Sequence, residues 1–166
     1  MGAGILPVAE YDGTIYFLFG QEYYDKKWGD FGGCPIKQEY VFDNAIREGY
    51  EEVDGFFGTK IELKKMVKDN FIKKLNSEDN KYHSYLFKTF YDPHLPFYFN
   101  NHHKFINSNF PKEVDNNGYF EKSQMKWFTK NDLIKEKSKF RHFYKDIVQQ
   151  IIDNYGIIYK ILKKIK

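Results

Sequence analysis

Residues 33–52 read GCPIKQEYVFDNAIREGYEE, and the second half of this stretch has helical spacing. The pattern predicts a helix over 41–53, with Asp43 or a neighbour as its N-terminal cap. Gly55 and Gly58 follow, and glycines at such places commonly end a helix. We therefore expect one helix, bounded by turns, that carries a group of charged residues in its second half.

Three glutamates of this helix stand at positions i, i+3 and i+4: Glu48, Glu51 and Glu52. On a helix their carboxylates share one face, where like charges repel by about a few tenths of a kcal/mol per pair. A divalent cation would remove this repulsion, and carboxylate oxygens suit Mg²⁺ or Mn²⁺. Because Mg²⁺ also binds phosphate oxygens, such a face favours a phosphate ester as substrate. The alternative is a solvated, charged helix face.

The chain is rich in lysine and has only two arginines, so Arg47 inside this stretch is informative. Its guanidinium can pair with Glu51 at i+4, or reach back to Glu39 at the end of the preceding turn. Either contact would fix the loop against the helix. Gly32 and Gly33 would allow tight backbone geometry beside the charged face.

Outside this stretch the chain mixes strand and helix signals. Apolar runs at 3–9 and 14–20 flank an Asp-Gly pair, which predicts a β-hairpin. Further strands are expected at 28–35, broken by a glycine turn, and at 82–91 and 119–128. The pattern is that of a mixed α/β or α+β sandwich in one domain, residues 1–166.

The remaining segments give weaker or helical signals. Residues 61–75 have helical spacing with many lysines and remain ambiguous, whereas 92–118 lack a clear period and are interpreted as a long loop. A cap at 129–132 follows the last strand, and 140–152 predict an amphipathic helix with Phe143, Ile147 and Ile151 on one face.

Composition excludes some classes of protein. A net charge of +3 is too small to argue for nucleic acid by itself, and 42% hydrophobic residues exclude a disordered chain. Cys34 is the single cysteine, so no intramolecular disulfide is possible and a reducing, cytoplasmic location is expected. No apolar run reaches the roughly 18–20 residues that span a membrane, and no secretory signal is visible.

These residues resemble the Nudix box, G-x5-E-x7-R-E-U-x-E-E-x-G-U, where U is a bulky aliphatic residue. The resemblance covers 33–55 and implies the Nudix fold, an α/β/α sandwich with a mixed sheet. It implies hydrolysis of a nucleoside diphosphate linked to another moiety, by attack of water on phosphorus. The matching positions are Gly33, Glu39, Arg47, Glu48, Glu51 and Glu52.

The resemblance also implies roles for these residues. Glu48, Glu51 and Glu52 would hold Mg²⁺ or Mn²⁺, and Glu51 is a candidate to help activate water. Arg47 and Glu39 would orient the loop and the helix. Arg47 is accordingly counted with Glu51 and Glu52 among the catalytic residues.

The box is divergent at two places. Gly49 stands where a bulky aliphatic residue is usual, which removes a core side chain and costs the helix about 1 kcal/mol. Asp54 and Gly55 occupy the closing G-U positions. The helix is therefore expected to turn at Asp54, or one residue late at Gly55.

A second similarity lies downstream. Glu121 precedes Trp127 by six residues. In many Nudix proteins a similar Glu precedes a Trp-bearing strand and either binds metal or acts as a catalytic base. A plain surface glutamate is the alternative. The residues from Trp28 through Asp30 to Gly33 are similar to segments in Nudix proteins of large DNA viruses, which together with an AT-rich codon bias suggests a viral source.

Substrate choice would lie in aromatic residues outside the box, whose rings either stack on a base or pack in the core. The leading hypothesis is a pyrophosphohydrolase of nucleotides or nucleotide conjugates, a monomer or homodimer without membrane contact. The alternatives are an mRNA cap or RNA 5′-phosphate hydrolase, using basic residues at 60–75 and 159–166, and a non-catalytic binding protein. The aromatic candidates are Trp28, Tyr24, Tyr85 and Phe97, with Tyr23, Tyr98, His102 and His103 beside them.

Overall fold

The computed structural model describes residues 1–114 and 120–165. It begins with the predicted hairpin, formed by β1 (Gly2–Tyr11) and β2 (Thr14–Glu22). Asp12 and Gly13 connect the strands with φ of 48° and 73°. Positive φ at both turn positions matches the right-handed twist of the strands, which is why Asp-Gly marks this hairpin in the sequence.

A mixed sheet of seven strands forms around β1. The further strands are β3 (Trp28–Gly29), β4 (Phe31–Gly33), β5 (Phe71–Asn76), β6 (Tyr82–Lys88) and β7 (Lys122–Phe128). On one edge β1 pairs antiparallel with β2 through its second half and with β4 through its first half. On its other edge β1 runs parallel to β6, which pairs antiparallel with β5. β3 and β7 both pair antiparallel with β2.

Helices cover both faces of this sheet. Ile5 and Leu6 are consecutive and fully buried, yet they belong to different cores because successive strand residues point to opposite faces. The Ile5 core includes α1 (Val41–Glu52), α2 (Lys60–Asp69) and α3 (Leu95–Asn109). The Leu6 core includes α5 (Lys130–Glu136), α6 (Lys145–Asp153) and α7 (Tyr155–Leu162). The predicted α/β/α sandwich with a mixed sheet is confirmed.

The prediction of a long loop at 92–118 is wrong. Leu95–Asn109 forms α3 and Pro111–Val114 forms α4, while 115–118 lie outside the described residues. The run of Asn, His and aromatic residues has low helix propensity, so no local signal announces a helix. Tertiary packing supplies the stability instead, since Phe99 and His103, one helical turn apart, are both buried.

Several boundaries also differ from the sequence prediction. The ambiguous 61–75 segment divides into α2 and β5, and the helix expected at 140–152 begins only at Lys145, after a 3₁₀ turn at His142–Tyr144. The N-cap of α1 is Tyr40, and Asp43 lies in the first turn without capping it. β7 starts at Lys122, and Tyr119 lies outside the described residues. The cap at 129–132 is confirmed as a capping box between Thr129 and Asp132.

Gly49 has a packing reason that the sequence does not reveal. Helix α1 lies so close to β1 that a Cβ at this position would stand 2.5 Å from Cδ1 and 2.6 Å from Cγ1 of the buried Ile5. The aliphatic side chain usual at this position of the box therefore has no room. The loss of helix propensity at Gly49 is offset by a closer approach of the helix to the sheet.

We expect Gly49→Ala to lower the free energy of unfolding by about 1–2 kcal/mol, because overpacking outweighs the gain in helix propensity. Trimming the facing side chain with Ile5→Val should relieve the clash. The double variant should then lose less stability than the sum of the two single variants in urea unfolding. Gly156 in α7 is the control, because a Cβ there meets nothing within 4 Å, so Gly156→Ala should stabilise. Additive effects of the paired variants would contradict this explanation.

Candidate metal centre and active site

Arg47 lies at the centre of the charged residues of α1 and binds the loop that precedes the helix. Its Nε and Nη2 donate to the two carboxylate oxygens of Glu39, each at 3.0 Å. Nη1 donates to Glu51 at 3.0 Å, and Nη2 also donates to Glu48 at 2.8 Å and to the carbonyl oxygen of Cys34 at 3.0 Å. Both contacts that the sequence allowed for Arg47 are thus made together. Hydrogen bonding to Arg47 lowers the pKa of Glu39.

The two glycines before this loop let backbone and carboxylates approach closely. A Cβ at Gly33 would lie 2.6 Å from a carboxylate oxygen of Glu48, and one at Gly32 would lie 2.2 Å from Cα of Gly4. The backbone N–H of Gly32 donates to Oε2 of Glu52 at 2.5 Å. Neither glycine has positive φ, so the requirement is for space rather than for backbone freedom.

A buried polar network supports this glycine turn. Asp30 is 3% exposed and accepts hydrogen bonds from Oη of Tyr82 and Oγ of Ser84, both at 2.6 Å. Oγ of Ser84 also lies 2.9 Å from Oη of Tyr144. Burial raises the pKa of Asp30 to about 6. These contacts satisfy a carboxyl beneath the turn and so fix the strand from which Gly32 extends.

Three carboxylates meet where β2, α1 and β7 come together. Oxygens of Glu22, Glu52 and Glu121 lie within 4.8 Å of one another, and they form the one group of three potential metal ligands within 1–114 and 120–165. Glu52 is 3% exposed, so its carboxylate points into the group from the last turn of α1. The sequence prediction missed Glu22. No local motif marks it, and only the pairing of β2 with β7 brings it to the site.

The box glutamates do not all enter this group. Glu48 and Glu51 each give one oxygen to Arg47, whereas Glu52 faces Glu22 and Glu121. The three predicted metal ligands are therefore divided: two bind the guanidinium of Arg47, and the third joins carboxylates from β2 and from the residue before β7. Glu48 and Glu51 nevertheless lie on the same helix as Glu52, and the charges of Glu51 and Glu121 help to raise the pKa of Glu48.

The electrostatics of this region fit a divalent cation. Burial, reinforced by neighbouring carboxylates, raises the pKa of Glu48, of Glu121 and, by more, of Glu52. Desolvation of these carboxylates, with like charges nearby, disfavours their ionised form unless a cation is bound. Oxygen donors in excess, partly desolvated and close together, are the ligands that Mg²⁺ or Mn²⁺ prefers.

The Asp54 side chain holds the segment that leads to Glu121. Asp54 and Gly55 both take the left-handed conformation, with φ of 49° and 74°, so the turn begins at Asp54 and includes Gly55. Its Oδ1 accepts a hydrogen bond from the backbone N–H of Phe120 at 3.2 Å, and the carbonyl oxygen of Phe120 lies 3.0 Å from Nε2 of His103. Oδ2 of Asp54 is buried and has no hydrogen-bond partner among the described residues. Burial raises the pKa of Asp54 to about 7.

The four predicted substrate-contacting rings occupy different surroundings. Trp28 is 6% exposed and packs edge-on against Phe128, which favours a core role over base stacking. Tyr85 is partly buried against Phe42. Tyr24 and Phe97 are 72% and 63% exposed, and their rings contact those of the sequence neighbours Tyr23 and Tyr98 respectively.

A cavity of about 220 Å³ opens beside the glycine turn. Arg141 connects it to the carboxylates, because its Nη1 donates to Glu22 at 2.8 Å while its guanidinium lies 5.0 Å from the ring centre of Phe143. The cavity thus offers cationic and aromatic groups next to the acidic cluster. It is lined by Gly2, Gly32, Gly33, Cys34, Ser77, Asp79, Lys81, Tyr82, Arg141 and Phe143.

Lysines of the two basic segments take part in intramolecular pairs. In α2, Lys64 binds Asp43 at 2.7 Å and Lys65 binds Asp69. In the C-terminal segment Lys163 binds Glu10 at 2.7 Å, and Lys166 lies outside the described residues. The structure thus gives no specific support to phosphate contacts by these segments.

No protein-family model and no curated protein matches the chain. Solved structures do match. A C. elegans Ap4A hydrolase in a binary complex shares 21% identity over 99% of this chain and 94% of its own, with a TM-score of 0.50. The MutT protein from Methanosarcina mazei Go1 shares 14% identity over 93% of each chain, with a TM-score of 0.51. A Nudix hydrolase from M. Smegmatis, RenU, shares 9% over 93% and 85%, with a TM-score of 0.50.

The chain has the Nudix hydrolase fold. At these identities the comparison concerns the fold, and the residues of the box must carry any argument about chemistry. Within the Nudix fold of this chain, the box supplies the Gly33 turn, Glu39, Arg47 and the three helical glutamates. No helix in the described part of the chain is both long enough and apolar enough to cross a membrane.

We expect Asp54→Asn to stabilise the protein at high pH only. A carboxyl whose pKa is about 7 when folded binds more protons in the folded than in the unfolded state between about pH 4 and 7. Stability from this group is present below pH 4 and is lost as the pH rises through 7. In EDTA, the variant should match the wild type near pH 4 and exceed it at pH 8 by about 1–3 kcal/mol in urea unfolding.

The matched control is Asp12→Asn, which changes an exposed aspartate at a similar φ of 48°. It sets the effect of removing an aspartate charge at a turn outside the site. A pH-independent effect of Asp54→Asn would show that the Asp54 carboxyl is not protonated more readily in the folded state.

Proposed function

We propose that this protein is a divalent-metal-dependent pyrophosphohydrolase that cleaves a nucleoside diphosphate linked to another moiety, by attack of water on phosphorus. One observation carries the proposal. Glu52 is buried at the junction of α1, β2 and β7, fixed by the Gly32 N–H, with Glu22 and Glu121 facing it. A purely solvated charged helix face would not bury a carboxylate among carboxylates.

In the proposed mechanism Glu52, Glu22 and Glu121 would hold Mg²⁺ or Mn²⁺, with Glu48 and Glu51 as further ligands. When bound, the ion supplies charge neutralisation for phosphate oxygens and favours deprotonation of water. Arg47 orients Glu48 and Glu51 by holding one oxygen of each and leaving the other available.

Proton transfer is assigned to Glu121, a member of the cluster, or to Glu51 beside it. Burial raises the pKa of Glu121, which makes its carboxylate a better proton acceptor for a water molecule. Glu51 is the second candidate, because only one of its oxygens is bound to Arg47. Asp54 and His103 hold Phe120, and thereby the backbone immediately before Glu121.

The proposed substrate is a nucleotide or nucleotide conjugate. The cavity beside Gly33 offers Arg141 and Lys81 to phosphate oxygens and Phe143 to a base or sugar. One similar solved structure is that of an Ap4A hydrolase, which agrees with a nucleoside linked through phosphates. The pairing of lysines in α2 and the C-terminal segment does not favour the RNA alternative, and the retained carboxylates do not favour a non-catalytic binder. A viral source and a single domain over 1–166 remain predictions.

The direct test is hydrolysis of a panel of nucleoside triphosphates, dinucleoside polyphosphates, NADH, nucleotide sugars, diphosphoinositols and capped RNA, with Mg²⁺ or Mn²⁺. We expect metal-dependent release of nucleotide products, read by ion exchange, and a loss of about a hundredfold or more in Glu52→Gln. The control is Glu136→Gln, which removes a carboxylate paired with Lys126 outside the cluster. Unchanged turnover in Glu52→Gln, or no turnover of any compound, would contradict the proposal. A preference for capped RNA, with turnover that falls as the salt concentration rises, would favour the RNA alternative.

Arg141→Met tests the cavity. If Arg141 binds substrate phosphate, the variant should raise KM by about tenfold with a smaller change in kcat, since a charge-assisted contact present in ground and transition states is lost. The KM of Arg141→Lys should lie between those of the wild type and Arg141→Met. The control is Lys139→Met, which removes a lysine in an exposed pair with Glu136, and its KM should match that of the wild type. A fall in kcat at constant KM would instead assign Arg141 to the positioning of Glu22.

A further inference from the structure

Lys122 is a fully buried cation inside the acidic cluster. Its side chain is 1% exposed, and Nζ lies 2.5 Å from Oε1 of Glu22 and 3.3 Å from Oε1 of Glu52. Burial of an ammonium costs on the order of several kcal/mol of desolvation free energy, unless nearby carboxylates compensate its charge. The two compensating carboxylates are also two of the three that form the candidate metal group.

The fold provides space for this side chain. A Cβ at Gly20 would lie 2.9 Å from both Cγ and Cδ of Lys122, and 2.9 Å from Cε1 of Phe31. Gly20 has no positive φ, so the absence of a side chain there provides room rather than backbone freedom. β2 therefore accommodates the lysine stem at Gly20 and binds its ammonium two residues later, at Glu22.

The ammonium lies against carboxylate oxygens of two glutamates, Glu22 and Glu52, which compensate its positive charge. With almost no exposed surface, Lys122 is also unable to reach a substrate in solution. Its effects must therefore act through the two glutamates.

We propose that Lys122 is the internal counter-ion of the metal centre: its ammonium holds Glu22 and Glu52 together without metal, and it competes with a divalent ion for their carboxylates. This inference rests on the proposed function for the presence of the metal site. Two consequences follow from one charge. Lys122 stabilises the metal-free protein, and it weakens metal binding through repulsion between cations at short range.

The test uses Lys122→Met, which keeps an unbranched apolar stem and removes the charge. Mn²⁺ binding without substrate, followed by electron paramagnetic resonance, should become about tenfold tighter or more, because a positive charge next to the ligands is lost. The melting temperature in EDTA should fall below that of the wild type, and saturating Mn²⁺ should narrow the difference. Equal or weaker Mn²⁺ binding by the variant would overturn the inference.

The control is Lys126→Met, which removes a lysine of the same strand that pairs with Glu136 at 2.7 Å. It should bind Mn²⁺ as the wild type does. Absence of Mn²⁺ binding by the wild type would overturn both the proposed function and this inference. Binding by the wild type with unchanged affinity in Lys122→Met would overturn this inference alone.

A second measurement covers the case in which Lys122→Met does not fold. In the metal-free wild type, the buried ammonium should give a lysine side-chain ¹H–¹⁵N resonance protected from exchange with water. Saturating Mg²⁺ should shift this resonance, because the ion takes the carboxylates that bind it. An unchanged resonance at saturation would contradict competition between Lys122 and the metal.

Discussion

The arrangement of the site depends on the guanidinium of Arg47. It binds both oxygens of Glu39 and the carbonyl of Cys34, which closes the loop between the Gly33 turn and α1. It also binds one oxygen each of Glu48 and Glu51. Carboxylates that would otherwise repel along the helix are thereby held in fixed directions. Planar, multiple hydrogen bonding of this kind requires arginine, since a lysine ammonium cannot reproduce its geometry.

A second cation acts on the other side of the carboxylates. Lys122 binds Glu22 and Glu52, and Arg141 binds the same oxygen of Glu22. Even so, burial and mutual repulsion raise the pKa values of Glu48, Glu52 and Glu121. The cations therefore keep the acidic cluster assembled without neutralising it. The remaining negative charge is what would attract a divalent ion and, through it, a phosphate.

Close approach of backbone segments makes these contacts possible, and it explains the divergent positions of the box. Gly49 lets α1 lie against Ile5, and Gly33 lets the turn lie against Glu48. Asp54 adopts the left-handed conformation in place of a glycine, and its side chain gains a contact with Phe120 that glycine could not make. A departure from the usual motif is thus linked to the position of Glu121.

Local patterns in the sequence determined the hairpin, helix α1, the capping box at Thr129 and the spacing of the box, because each depends on residues a few positions apart. No local pattern predicts α3, since burial of Phe99 and His103 stabilises this helix and its propensity does not. The sequence does not divide the four aromatic candidates into core and surface rings, because that division depends on tertiary packing.

The sequence alone determined that three glutamates and an arginine share one helix, which follows from helical periodicity. Only the tertiary structure decided that Glu52 meets Glu22 and Glu121, and that Lys122 lies among them. Glu22 and Lys122 are 100 residues apart and are joined by the register of β2 with β7. Such pairing depends on how the whole sheet closes, so no local pattern encodes it.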